Sequence, residues 1–371
     1  MNWKDGNMSS LFQLLEETDS MDVPRLCGRL SLRLSLCTAL LTIGSFGNLR
    51  AAYRVYRRYS ASRLLQSPRR KMLLKISLLI GDCFIIFGYL PTEMTWLYTY
   101  YWYGGDFLCR VLMLLRPVGF YATSFNIFLI AVDRMLYVKS AIGYHYWQKH
   151  IRTITLSAWF LALVISAPNG VIYSVWSPSP PSSPYNSPGF PNNHHHHHQQ
   201  CNVYGMLGHP GDDDKGGESN LYLQMERAMG AIQAVFMFWL PATGTLTVYG
   251  LTYQLVSKSI YDSAGLDHRG RSQSIQGSIE GGGGGGGGGH PESGSRKKRE
   301  GARRKALRMA SAMVIPHLIC WTPYQCVSMW ALIHQESYDR LMGRAFANPA
   351  TLVLAVANAC ANPFIYDYME R

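Results

Sequence analysis

Long apolar stretches separated by polar and basic connections limit the possible folds of this chain more than any other feature. Each stretch runs to roughly 20 residues or more, the length a helix needs to cross the hydrocarbon core of a bilayer. That core offers backbone N–H and C=O groups no water, so a spanning segment must be a helix or part of a closed barrel. The stretches lack the period-two alternation of barrel strands. They are therefore expected to be helices, over 30–56, 72–98, 107–138, 152–175, 222–256, 304–333 and 346–368. The chain is 47% apolar, yet its mean hydropathy is only −0.04, because polar loops offset the spans. An all-α bundle of seven membrane helices over 30–371, preceded by an N-terminal segment 1–29, accounts for the 371 residues.

The formal charge of +12 does not point to nucleic acid, because of where it lies. Arg54, Arg57, Arg58, Arg63, Arg69, Arg70 and Lys71 lie at the first connection. Lys139, Lys149 and Arg152 lie at the third. Lys258, Arg269, Arg271, the Arg296–Arg299 cluster and Arg303–Lys305 lie at the fifth. The other connections are acidic or mixed, with Asp106, Asp212–Asp214, Glu218, Glu336 and Asp339. Basic loops stay cytoplasmic, so the N-terminus is expected outside and the C-terminus inside. Residues 1–26 are polar, with Glu16, Glu17, Asp19 and Asp22, so no cleavable signal is evident and the first span is expected to direct insertion.

On the outer side lie Cys109, at the start of the third span, and Cys201, before the fifth. Both face an oxidising compartment, so a disulfide is expected. Cys27 is also outside and has no evident partner. Asn7-Met8-Ser9 is a glycosylation sequon on the correct side. The outer loop 176–220 contains a Pro/Ser run, His194–His198 and a Gly/Asp stretch, and is expected to be disordered. Five histidines can bind a transition metal, but repeat expansion in a tolerant loop is the preferred reading. The inner loop 258–302 carries Gly281–Gly289, a flexible tether, and then the Arg296–Arg299 cluster. That cluster either attracts anionic membrane lipid or only sets topology, the latter being preferred.

Polar groups within spans are costly and mark function. Asp82 lies in the second span, Asn48 in the first, and Asn358 and Asn362 in the seventh. A buried carboxylate among amides can hold a monovalent cation or a water network, and the residues alone leave both open. The expectation carried forward is a sodium site at Asp82, Thr123, Asn358 and Asn362. Asp133-Arg134 ends the third span. Cys320–Tyr324 reads CWTPY and Asn362–Tyr366 reads NPFIY, each with a proline that removes a backbone bond and supplies a pivot. Pro241 breaks the fifth span, with Tyr249 two turns later.

Taken in order, Gly47-Asn48, Leu78 through Asp82, Cys109, Asp133-Arg134, Trp159, Pro241, CWTP and NPxxY resemble the rhodopsin-like G-protein-coupled receptors over nearly the whole chain. Residues 101–126 and 320–330 are similar to the gonadotropin-releasing hormone receptors and to their adipokinetic hormone and corazonin relatives. That resemblance implies a cell-surface, multi-pass receptor for a short amidated peptide hormone, coupled to a heterotrimeric G protein of the Gq class and to calcium. It implies ligand contacts at Arg33, Glu93, Arg116, Tyr121, Tyr324, Gln325 and Trp330. It implies activation switches at Asp133, Arg134, Tyr249, Trp321, Pro323, Asn362, Pro363 and Tyr366. In the resting state Arg134 is expected to pair with Asp133. Gln325 and Ala331 stand where vertebrate members carry aromatics, which leaves the peptide's identity open. Asp82 with Asn362, which many vertebrate members exchange, favours an invertebrate-type relative.

Other readings are weaker. Retinal chemistry needs a lysine in the seventh span, and none follows Lys305. An amine ligand would be repelled by Arg116. A different peptide, or an anionic lipid held by Arg116, is the alternative, although Glu93 opposes the latter. No repeat symmetry suggests a transporter. Nothing beyond the histidine run suggests an enzyme, and no cofactor other than an allosteric sodium ion is expected.

Overall fold

The computed structural model describes residues 8–61, 66–99, 102–139, 141–176, 200–203, 216–258, 291–334, 337–338 and 347–370. Among these, seven long helices form one bundle. Helix α1 is Met8–Ala61. Helix α2 comprises Gln66–Cys83, a π-helical turn Phe84–Tyr89 and Leu90–Thr99. Helix α3 is Gly105–Lys139 and α4 is Ala141–Ser166. Helix α5 comprises Gly216–Ala234, a π-helical turn Val235–Trp239 and its continuation 240–258. Helix α6 is Pro291–Ile333 and α7 is Ala347–Glu370. Five carry apolar lengths sufficient to cross a membrane: Ser31–Ala61, Met72–Thr99, Gly105–Lys139, Ile142–Ile172 and Arg227–Lys258. The apolar run of α6 is diluted by Pro316, His317, Pro323 and Gln325, and α7 has a shorter one at Val353–Ile365.

Helix ends depart from the sequence expectations. The first helix starts at Met8, well inside the segment 1–29 expected to precede the membrane. The fourth span was expected over 152–175, but α4 starts at Ala141 and stops at Ser166. Pro168 biases the residue before it away from helical geometry. A single turn, Asn169–Ile172, follows, and the chain then extends as strand β1, Tyr173–Trp176. Strand β1 pairs antiparallel with β2, Gln200–Val203, with Val175 opposite Cys201. Part of the outer loop expected to be disordered is thus a hairpin, and Gly216–Asn220 already belong to α5. The sixth helix starts at Pro291, inside the inner loop expected to end at 302. The pentahistidine and nine-glycine runs lie outside the described residues.

Both π-helical turns directly precede a proline, Pro91 in α2 and Pro241 in α5. Each proline ring excludes the carbonyl four residues back, at Phe87 and Met237. The preceding residues reach five back instead: Leu90 N–H donates to Ile85 O, and Leu240 N–H to Val235 O. One extra residue is absorbed in each turn, as in π-bulges at functional sites. The turns re-aim Glu93 and Met237, which both line the cavity described below.

Below that cavity the core joins Ile85, Ile86, Phe120, Phe238, Trp321 and Val356, drawn from α2, α3, α5, α6 and α7. Helices α2 and α3 approach closely at Gly81 and Gly119. A Cβ at Gly81 would lie 2.7 Å from Thr123 Oγ1, and one at Gly119 would lie 3.0 Å from Phe84 Cβ. Small residues of this kind let membrane helices meet backbone to backbone, and here they do so beside Asp82.

Candidate ligand-binding site

The end of the bundle that carries the β1–β2 hairpin holds a cavity of about 440 Å³. Its charged wall is Glu93 on α2 and Arg116 on α3, with Tyr89 and Trp96 beside them. Asn169, after α4, and Gln233 on α5 also line it. Tyr173 and Cys201 of the hairpin contribute to it, and Phe120, Met237 and Tyr324 add apolar and aromatic surface.

Glu93 sits between two guanidinium groups. Arg116 donates from Nη2 to Glu93 Oε2, and Arg33 Nη2 lies 3.7 Å from Oε1. The Tyr89 hydroxyl also donates to Glu93 Oε2, at 3.5 Å. The Arg116 guanidinium carbon stands 4.6 Å from the centre of the Tyr89 ring and 5.7 Å from that of Trp96, within cation–π range. These side chains are only 14–21% exposed, so removing one partner leaves a costly uncompensated charge. Two cations against one anion leave the cluster with a net positive charge.

The expected disulfide is present between Cys109 and Cys201, with Cα atoms 5.6 Å apart. Asp106 adds a second tie: its Oδ1 accepts from Val175 N–H at 2.9 Å, and its Oδ2 from Arg110 Nε at 2.7 Å. Together these fix the hairpin over the cavity. Asn7 and the Cys27 side chain lie outside the described residues.

The expected ligand contacts separate into two groups. Glu93, Arg116 and Tyr324 line the cavity, and Arg33 supports Glu93 from behind. Tyr121 and Gln325 do not line it; both are buried, Tyr121 stacking on Phe125. Trp330 packs edge-on against Tyr338. Asn169 and Gln233 were not singled out by sequence.

Deeper in the bundle, Asn362 Nδ2 donates to both oxygens of Asp82, at 3.0 and 3.1 Å. Asn48 Nδ2 donates to Gly44 O and Ala359 O, joining α1 to α7. Thr123 Oγ1, Asn358 Oδ1, Asn362 Oδ1 and Asn48 Oδ1 are buried and lack a hydrogen-bond partner among the described residues. One carboxylate with neutral oxygens is a donor set that suits a hard cation, so these residues fit a sodium ion. Trp321 packs edge-on against Phe120 and Tyr324, and His317 lies one turn below it.

At the opposite end of α3 from the disulfide, Arg134 Nη2 lies 3.6 Å from Asp133 Oδ2. Two partners of Asp133 were not foreseen. Trp147 Nε1 and Gln148 Nε2 donate to its Oδ1 at 3.0 and 2.8 Å. The early start of α4 puts both residues on a helix facing α3. The Tyr249 hydroxyl shares a hydrogen bond with Ser311 Oγ at 2.7 Å, tying α5 to α6. Pro323 and Pro363 lie inside α6 and α7. The Tyr366 side chain lies outside the described residues.

The profile of the 7 transmembrane receptor (rhodopsin family) matches residues 59–366. The chain is 38% identical over 107 residues to the G-protein coupled receptor daf-38 of Caenorhabditis elegans, covering 28% of this chain and 26% of that protein. It is 23% identical over 314 residues to the gonadotropin-releasing hormone II receptor of Callithrix jacchus, covering 85% and 69%. It is 22% identical over 290 residues to the isotocin receptor of Catostomus commersonii, covering 76% and 61%.

Proposed function

The chain belongs to the rhodopsin family of seven-transmembrane receptors, and from that premise we propose that it is a cell-surface receptor for a small amidated neuropeptide of the gonadotropin-releasing hormone/adipokinetic hormone type. The family makes it a multi-pass receptor of the plasma membrane rather than an enzyme. The observation that carries the proposal is the Arg33–Glu93–Arg116 cluster opening on a cavity under a disulfide-tied hairpin. A mixed-charge cluster together with neutral amides suits a peptide, which offers donors, acceptors and aromatic side chains together. The similarity to a gonadotropin-releasing hormone II receptor along most of the chain supports the same class.

In this reading the N-terminus faces outward, and the basic inner connections face the cytoplasm and anionic lipid. Asp82, Thr123, Asn358 and Asn362 hold sodium in the resting bundle, and the ion supplies only a positive charge that stabilises this packing. Release of Arg134 from Asp133 opens the inner end to a Gq-class protein, with Tyr249 and Tyr366 as the new neighbours of Arg134. Trp321, Pro323, Asn362 and Pro363 transmit the movement. Ligand binding drives it only through differential affinity for the two states.

The alternative is a receptor for another peptide or for an anionic lipid. The similarity to an isotocin receptor favours the first, and the net positive charge of the cluster favours the second. Calcium release in receptor-expressing cells challenged with amidated neuropeptides, other peptides and anionic lipids separates them. Responses confined to amidated peptides of the named type support the proposal. Responses confined to lipids, or none at confirmed surface expression, overturn it.

A further inference from the structure

The charged part of the cavity lining is accounted for by the proposed function, but its neutral amide part is not. There the cavity is lined by two carboxamides, Asn169 and Gln233, in otherwise apolar and aromatic surroundings that include Met113, Pro117 and Met237. Asn169 is held in place by the end of α4. Past Pro168 the backbone tightens, with Gly170 N–H donating to Ala167 O. Ser166 O instead accepts Asn169 Nδ2 at 3.2 Å. This bond fixes the Asn169 side chain, which is only 3% exposed, and turns Oδ1 toward α5. Gln233 Nε2 donates to that oxygen at 3.3 Å, a long bond that a better partner can replace. Gln233 makes no other hydrogen bond among the described residues. It keeps an acceptor, Oε1, and a second N–H on a wall that a ligand reaches.

We infer that Asn169 and Gln233 form a neutral subsite for an amide group of the ligand, either a terminal carboxamide or one main-chain peptide unit. A carboxamide presents one acceptor and donors side by side, and an amide group of the ligand presents the complementary pair. A carboxylate does not fit here. It would repel Gln233 Oε1 and lose its hydration, with no cation bonded to either amide among the described residues. The Arg33–Glu93–Arg116 cluster supplies the charged contacts of the same cavity, so recognition divides between charge and a neutral amide. The inference rests on the proposed peptide function.

The test uses short synthetic peptides active in the calcium assay on wild-type receptor, each made as the carboxamide and as the free acid. A second series replaces each main-chain amide in turn by an ester. The receptors are wild type, Gln233→Leu and Gln233→Glu, matched for surface expression. If the terminal carboxamide is the occupant, Gln233→Leu lowers its potency about ten-fold and spares the free acid. The amide-over-acid preference then collapses. If a main-chain unit is the occupant, that preference survives, and one ester position costs wild type about ten-fold but costs Gln233→Leu nothing. Either pattern supports the subsite. Gln233→Glu should depress carboxamide and free acid alike, the free acid more. Wild-type potency in Gln233→Leu overturns the inference and leaves the peptide reading intact. So does a uniform loss with both ratios unchanged, since the pair is then only a brace between α4 and α5. If no peptide activates wild type, the function reading fails and the subsite fails with it.

Discussion

Arg116 illustrates how much one side chain carries in a membrane protein. Its guanidinium binds Glu93, lies over Tyr89 and lines the cavity. Arg116→Ala should lower peptide potency about ten- to a hundred-fold, roughly 1.5–3 kcal/mol for a charge-assisted hydrogen bond. Arg116→Lys should be milder, because charge survives while the planar fork is lost. Calcium dose–response curves at matched surface expression check the order; equal losses for the two would contradict it. Residues of this kind were legible in sequence because an ion in an apolar stretch is conspicuous. Asp82 stood out that way, whereas Glu93 and Arg116 entered through the family resemblance and Asp133 through the Asp133-Arg134 pair that ends the third span. Asn169 and Gln233 did not stand out, because amides near helix ends are ordinary and only the fold brings them together. Tyr121 and Gln325 were placed in the ligand site by resemblance; both are buried and neither lines the cavity.

Helix ends were the least legible elements, and two of them matter for function. The fourth helix begins at Ala141, in a polar segment with no apolar run to announce it. That start delivers Trp147 and Gln148 to Asp133. Gln148→Ala should loosen Asp133, free Arg134 and raise ligand-independent signalling by up to about ten-fold, the value of a hydrogen bond to a charged acceptor. Basal inositol phosphate accumulation measures this, and an unchanged baseline at normal expression would count against the restraint. The hairpin was missed for a different reason. Each strand has four residues, too few for a period-two signal, and they pair because the disulfide and Asp106 hold them to α3. Cys201→Ser should therefore reduce both surface expression and peptide potency, with Asp106→Asn affecting potency more mildly. Mass mapping without reduction that found Cys109 and Cys201 free in folded receptor would remove the basis for both.

At the scale of the whole molecule, five spans are legible from hydrophobic length, and α6 and α7, whose apolar runs are diluted or shorter, from their CWTP and NPxxY motifs as well. The contacts that make them one bundle were legible only as isolated polar residues. Asn362 joins α7 to Asp82 of α2, Asn48 joins α1 to α7, and Trp159 Nε1 donates to Ser77 Oγ to join α4 to α2. If the buried oxygens around Asp82 hold sodium, replacing a large organic cation by sodium should raise the melting temperature of purified wild-type receptor. Asp82→Asn should abolish that dependence, and a dependence that survived it would place the ion elsewhere. The central claim is that the Glu93–Arg116 pair receives the ligand rather than merely bracing α2 against α3. It is tested most directly by peptide-induced calcium release in Glu93→Arg, Arg116→Glu and the double reversal, at matched surface expression. A ligand site predicts that the double reversal stays as poor as the singles. Near wild-type potency in the double reversal would show that the pair is a strut and would contradict the account.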